Sequence, residues 1–259
     1  GDWDGAFDSD LTASIGWRVQ DRSDDLVGVG NGGAASSTNG DDGNLNFDRG
    51  DTYTERLSGT SELFLDKDFR GEVPYLTRVG GLLRGQYWFD FKQKQGNFTR
   101  DGRDTFSEEA RDDASGGELD DAFVWTDWEV GGVPVSLRYG DQVFNWGEST
   151  FIPGGVNSTL PVDVAALRNP GSEVRDALEP IEAFFFSAGI TRNTTVKGFI
   201  QRDFQETNVD NCGTFFSTND FVEDGCGPIF PLGGISEREN LENFPSAVLE
   251  RKVDRKPDA

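Results

Sequence analysis

The sequence predicts an all-β fold, an antiparallel transmembrane β-barrel of which this chain supplies about seven or eight strands. Two patterns and one deficit point there. Apolar and polar residues alternate with a period of two in seven separate runs, and the connections between runs alternate between long and short. The chain of 259 residues is only 35% apolar, low for one large dry core. No stretch approaches the roughly 20 uninterrupted apolar residues of a membrane-spanning helix. A barrel reconciles these features, because its strands face lipid and lumen in alternation.

The first run carries Leu11, Ala13, Ile15, Trp17 and Val19 between Asp10, Thr12, Ser14, Arg18 and Gln20, a segregation that a helical period would scramble. The second sets Leu57, Gly59, Leu63 and Leu65 against Arg56, Ser58, Thr60 and Glu62. In the third, Val79, Leu83, Tyr87, Phe89 and Phe91 oppose Arg78, Arg84, Gln86 and Asp90. The fourth places Ala122, Val124, Trp128 and Val130 opposite Asp121, Asp127 and Glu129, and Gly131-Gly132 then announces a tight hairpin. The fifth opposes Val135, Leu137 and Tyr139 to Ser136, Arg138 and Gln142. Phe184, Phe186, Ala188 and Ile190 make the sixth; Val196, Gly198 and Ile200, facing Lys197, Gln201 and Asp203, make the seventh.

Long connections cover roughly 21–54, 92–118, 144–181 and 205 onward, and short ones fall near 67–76, 130–134 and 192–194. Outer-membrane barrels sort their loops this way, with short periplasmic turns and long outer loops. The chain therefore reads as one barrel domain over 1–259, with an extracellular loop region over 205–259. Seven strands is an odd number and the last residues are polar, so the domain is expected to be incomplete at its C-terminus. The start, Gly1-Asp2-Trp3-Asp4, reads as that of a processed or trimmed chain, which permits export.

Lys and Arg number 24 against 47 Asp and Glu, a net charge of −23 that repels nucleic acid and removes it from the expected partners. Acidic pairs such as Asp41-Asp42 and Asp112-Asp113 leave room for a loosely bound divalent cation, although neither has the spacing of a calcium loop. No other cofactor is expected. Cys212 and Cys226 flank a polar stretch, which suits a disulfide in an oxidising compartment, with two free thiols as the alternative. With no histidine in the chain, two cysteines are too few soft ligands for a zinc site.

The third long connection, 144–181, differs in composition and is the candidate constriction or plug. It holds dense apolar residues, and Ser172 is placed to cap a short helix over 173–178. Folded inward, it would pack its Trp146 inside and bring Glu148, Asp163, Arg168, Glu173 and Arg175 to the lumen wall; packing on the barrel rim is the other reading. The wall itself would present Arg18, Arg56, Arg78, Arg84, Arg138, Lys197, Asp10, Glu62, Asp90, Asp121, Asp127, Glu129 and Asp203, as a shape-holding ladder or a field that orients a solute. Aromatic residues at strand ends, Trp17, Tyr87, Trp88, Trp128 and Tyr139, fit an interfacial girdle.

The runs Gly140-Asp141-Gln142-Val143-Phe144-Asn145-Trp146-Gly147-Glu148-Ser149, Phe151-Ile152-Pro153-Gly154-Gly155, Pro161-Val162-Asp163 and Asn169-Pro170-Gly171-Ser172-Glu173, with Gly213 to Asp220, resemble the signature of DUF 1302, a proteobacterial outer-membrane family of unknown function. The resemblance spans nearly the whole chain. It implies a porin-like barrel in the outer membrane of a Gram-negative bacterium, surrounded by lipid and lipopolysaccharide. The family's genes often accompany a periplasmic lipid-carrier-like protein and a large inner-membrane exporter, which implies such a carrier as partner and a hydrophobic compound as cargo. It carries no catalytic residues.

An enzyme is not expected: a serine triad lacks its histidine base, no Gly-x-Ser-x-Gly elbow or phosphate-cradling loop occurs, and carboxylate pairs such as Asp127 and Glu129 are too common to be diagnostic. The leading expectation is a channel that passes or exports a solute. A plugged surface barrel with a structural or adhesive role, and a secreted soluble β-domain that binds carbohydrate, are the alternatives.

Overall fold

The computed structural model describes residues 3–144, 160–172, 174–222 and 226–249. In chain order its strands are β1 (Trp3–Trp17), β2 (Thr52–Asp68), β3 (Leu76–Asp90), β4 (Thr99–Arg100), β5 (Arg103–Asp104), β6 (Ser115–Val130), β7 (Val133–Gln142), β8 (Ile181–Thr191) and β9 (Thr194–Gln201). Its α-helices are short: α1 (Asp42–Leu45), α2 (Phe91–Gln95), α3 (Glu108–Asp113), α4 (Val164–Arg168) and α5 (Glu237–Asn243). Among the described residues no helix is long and apolar enough to cross a membrane. Seven strands form one antiparallel sheet in the order β1-β2-β3-β6-β7-β8-β9, each beside its neighbour in sequence, while β4 and β5 make a separate small ribbon. These seven are the predicted runs. They do not close on themselves: β1 and β9 are the two edges of an open sheet.

The first strand begins earlier than expected and ends earlier too. Alternation is already present in Trp3-Asp4-Gly5-Ala6-Phe7-Asp8, and β1 stops at Trp17, leaving Val19 outside the sheet. Phe91 likewise opens α2 instead of extending β3, and Asp203 falls beyond the end of β9. The short connections gather at one end of the sheet. The tightest joins Val130 to Val133 through Gly131 and Gly132, with φ of 61° and 79°. Two successive residues in the left-handed region make a type I′ turn, whose twist matches that of the flanking strands. All five helices and the β4–β5 ribbon lie in the long connections at the opposite end.

The hydrophobic core is not under the sheet. In-register partners place Gly5, Leu65, Gly81, Val124, Tyr139, Phe184 and Ile200 in one row across all seven strands. This face is apolar and bare: Leu11 is 71% exposed, Val124 58% and Ile200 72%. Aromatic rings lie over its glycines, as Tyr87 does over Gly59 and Phe186 over Gly198. Buried apolar residues gather instead among the long connections, where Phe47, Phe98, Phe106 and Ala110 pack with Tyr53 and Phe215. A second group, Phe144, Leu160, Ile181, Ala183 and Phe185, sits where the third connection meets the sheet.

Replacing both Gly131 and Gly132 by Val forces β-branched residues into left-handed backbone, at roughly 1–2 kcal/mol each. The urea midpoint of unfolding should fall accordingly, and an unchanged midpoint would contradict the turn geometry.

Candidate functional site

The other face of the sheet is polar, and the described part of the third connection lies against it. Arg84 of β3 is buried there, its Nη2 2.7 Å from Asp176 Oδ1 and its Nε 3.5 Å from Asp120 Oδ2. Arg175 Nη2 reaches Asp121 Oδ2 at 3.0 Å and Glu62 Oε2 at 3.4 Å. Gln86 Nε2 donates to Asp120 Oδ1 at 2.9 Å. Residues 174–177 are thereby tied by charge to β2, β3 and β6.

Backbone bonds hold the same segment from its other side. Val162 and Leu178 form an antiparallel bridge, Asp163 a parallel bridge with Asn208, and Val164 N donates to Asn208 O at 2.9 Å. Arg168 pairs with Asp210, and its guanidinium lies 5.4 Å from the Phe216 ring centre. The short helix expected over 173–178 is present as a 3-10 helix, Val174–Ala177, and an unpredicted α-helix, α4, precedes it. Asp163 Oδ1 accepts from Ala166 N at 2.9 Å and caps α4, whose Val-Ala-Ala-Leu-Arg stretch stops short of Pro170. The Ser172 hydroxyl donates to Asn169 O at 2.8 Å, and the next described element is a four-residue 3-10 helix, Val174–Ala177.

Of the predicted constriction residues, Asp163 and Arg168 line one cavity and Arg175 reaches the carboxylates of the sheet, whereas Trp146, Glu148 and Glu173 lie outside the described residues. Of the predicted wall charges, Arg56, Arg78, Arg84, Arg138, Glu62, Asp121 and Asp127 share the polar face by register. Arg18 does not. It lies just past β1, where its guanidinium donates to the carbonyls of Asn44 and Phe47, each at 3.1 Å, and anchors the first long connection. Asp90 shares the face but is fully buried, accepting from Gln93 N at 3.0 Å as the cap of α2 and from Glu55 N at 3.2 Å. Glu129 sits exposed at the hairpin rim, opposite Pro134. Trp88 belongs to the polar face, not to a girdle: its Nε1 donates to Asp113 O at 2.6 Å, and Arg56 lies 5.2 Å from its ring centre.

One group of residues escaped the sequence reading. Phe64, Leu82, Phe123 and Trp125 also point to the polar face, toward its short-turn end, and line a cavity of about 210 Å³. The Phe64 and Trp125 rings are 5.3 Å apart, and Arg138 lies 5.6 Å from the Phe123 ring centre. The signal was present as consecutive apolar residues, Leu63-Phe64-Leu65, Leu82-Leu83 and Phe123-Val124-Trp125, which a strict period of two assigns to one face only. Nearer the long connections a larger cavity, about 400 Å³, is lined by Arg56, Gln86, Trp88, Glu118, Asp163 and Arg168. The face therefore grades from charged to aromatic.

Glu179 stands at the charged end. Burial, then the neighbouring carboxyls of Glu118 and Asp163, push its pKa up to about 8. Asp163 is raised as well, chiefly by burial. Both groups lie in a zone with more carboxyls than guanidiniums, where holding a proton relieves repulsion. In the outer layer Cys212 and Cys226 form a disulfide. Of the two acidic pairs, Asp112 faces Lys94 at 3.5 Å and Asp113 accepts from Asn211 at 2.8 Å, whereas Asp41 and Asp42 are buried beside Asp220 and Glu237.

These features define an all-β protein in which one meandering antiparallel sheet carries a bare apolar face and a polar face overlaid by a long connection. The chain belongs to the family described as a protein of unknown function (DUF1302), whose model matches residues 1–258. No curated protein and no solved structure matches it.

Unfolded, Glu179 ionises near its ordinary 4.5; folded, it holds its proton to about 8. Its contribution to stability is thus complete below about pH 4.5 and lost as the pH rises to about 8. Limited proteolysis of the third connection across this range should show progressive release, and Glu179→Gln should flatten the profile. Equal pH dependence in both proteins would sink the assignment.

Proposed function

We propose that this chain forms part of the wall of an outer-membrane β-barrel in a Gram-negative bacterium, and that the barrel is a porin-like channel for passing or exporting a solute of partly hydrophobic character. The observation that carries this reading is the bare apolar face running across all seven strands. Removing Phe7, Leu11, Ile15, Leu63, Leu65, Leu83, Val124, Phe184, Phe186 and Ile200 from water is worth on the order of 10 kcal/mol in total. A soluble sandwich would cover such a face with a second sheet, and none lies there among the described residues. Hydrocarbon is the occupant that asks for no polar partner at any of these positions.

Further features agree. Trp17 and Tyr87 stand near the long-loop ends of their strands, and Trp3, Tyr75 and Trp128 near the short-turn ends, as headgroup-level aromatics do. In hydrocarbon the edges of β1 and β9 must be paired, which calls for strands beyond these seven to complete the ring. The long connections would then face the exterior, where the disulfide is stable, and the short turns would face the periplasm.

The polar face is the channel wall on this reading, and residues 160–180 form its constriction. A solute would meet the Phe64, Leu82, Phe123 and Trp125 surface toward the periplasmic end and the Arg84–Arg175 carboxylate zone toward the outer end. The graded wall favours an amphipathic molecule with an apolar body and a polar group. Lipid and lipopolysaccharide are the expected surroundings, and a periplasmic lipid-carrier-like protein is the expected supplier or recipient. The double anchorage of the third connection favours a second reading, a plugged barrel with a structural or adhesive role, because a segment tied on both sides resists displacement.

Single-channel conductance of the full-length protein in a planar bilayer, with and without residues 160–178, separates the two. Steady openings that widen on deletion are expected of the channel; silence in both forms would leave only the plugged barrel. Val124→Arg places a charge in the apolar row, costs roughly 2–4 kcal/mol at mid-bilayer, and should block membrane assembly in refolding monitored by heat-modifiable electrophoretic mobility. Normal assembly of that variant would argue for a soluble domain.

A further inference from the structure

We propose that Asp41, Asp42, Asp220 and Glu237 form a binding site for one calcium ion, which ties the first and fourth long connections together. The four carboxylates come from separate parts of the chain: Asp41 and Asp42 from the start of α1, Asp220 from the stretch closed by the Cys212–Cys226 disulfide, and Glu237 from the start of α5. All four are at most 5% exposed, and one oxygen from each lies within 4.8 Å of the others. Two oxygens on opposite sides of a calcium ion at 2.3–2.6 Å stand about 5 Å apart, so this spacing suits a shared ion.

Charge does not balance without one. Two guanidiniums face the group: Arg103 Nη2 is 3.1 Å from Asp42 Oδ2 and 2.5 Å from Glu237 Oε2, and Arg100 pairs with both Asp42 and Glu237, the latter at 3.2 Å. Four carboxylates against two guanidiniums leave two negative charges in a buried place. Asp41 is held by Gly28 N at 2.8 Å and Asn31 Nδ2 at 3.0 Å.

The independent sign of a ligand is Asp220. It is almost wholly buried, and among the described residues neither carboxylate oxygen makes a hydrogen bond of ordinary geometry; the Asp42 backbone amide nearby favours its charge. Glu237 Oε1 is partnerless too. Buried carboxylate oxygens are rarely left so unless an ion or a proton satisfies them. A cavity bounded by Asp42, Arg103, Asp220 and the disulfide gives a route in. An all-oxygen set with neither thiol nor imidazole disfavours zinc, and a buried set of several carboxylates suits calcium better than magnesium, which keeps most of its water. The site is independent of the channel reading, because it lies wholly in the loop layer.

The test is calorimetric titration of the full-length, detergent-refolded protein with calcium chloride at neutral pH, after stripping with EGTA, alongside thermal melting. One calcium per chain is expected, with a melting temperature raised by roughly 5 °C at millimolar calcium. Asp220→Asn should weaken binding by an order of magnitude or more and leave the calcium-free protein at least as stable, because it removes a buried charge repelled by Asp41, Asp42 and Glu237 while keeping an oxygen for the Asp42 amide. Asp112→Asn, exposed and remote, should bind as the parent does. Absence of binding and of any melting response at millimolar calcium would overturn the proposal in favour of carboxyls that share protons. Equal response to magnesium, or undiminished binding by Asp220→Asn, would overturn it as well. The parent titration is decisive even if a variant fails to refold.

Discussion

A single antiparallel sheet with two unlike faces is the constraint on which the rest of this molecule depends. Alternation sends one side chain of every pair to an apolar surface and the next to a polar one, so neither face can be treated as the other is. The apolar face carries a row that runs unbroken through all seven strands. Charge on that face would be costly in hydrocarbon, and its bareness is costly in water. Most of the charge at mid-strand is therefore pressed to the other face, where it must find partners. Arg84, Asp120, Asp121, Asp176 and Arg175 answer that need by pairing the sheet with a connection.

The same constraint explains where the core lies. With one face of the sheet bare, close packing has to be built elsewhere, and the long connections supply it. Phe47, Phe98 and Phe106 come from two different connections, with the Phe98 and Phe106 rings stacked at 4.4 Å, and Tyr53 stacks on Phe215 of a third at 4.2 Å. The disulfide and the Asp42–Arg100–Arg103–Glu237 group reinforce this layer. The loops thus act as a small packed domain at one end of the sheet. Their composition, rich in Asp, Asn and Gly, conceals this role because so few aromatic residues do the packing.

The gradation along the polar face has a functional reading that pure charge lacks. On the proposed channel reading, a wall of ion pairs alone would select small hydrated solutes, whereas the half-buried Phe64, Phe123 and Trp125 would give an apolar body a place to rest. Glu179, protonated near neutrality, lowers the net negative charge where the connection docks.

Strand number, strand order, the sorting of long and short connections and the identity of the apolar face were all legible in the sequence. Each follows from a period of two and from local turn residues such as Gly131-Gly132, which act over a few positions of chain. The Cys212–Cys226 pairing was legible as an even pair across a polar stretch. The third connection's charged residues were visible as candidates, but not their partners. Arg84 meets Asp176 across 92 positions, and Arg103 meets Glu237 across 134. Long-range pairing of this kind is decided by how the connections fold over the sheet, which no local pattern encodes. Tertiary structure also made Arg18 a loop anchor instead of a wall charge and Asp90 a helix cap, and it set Phe64 and Trp125 on the polar face. For Arg18 the deciding contacts are the Asn44 and Phe47 carbonyls, 26 and 29 positions away, which only the assembled fold brings near.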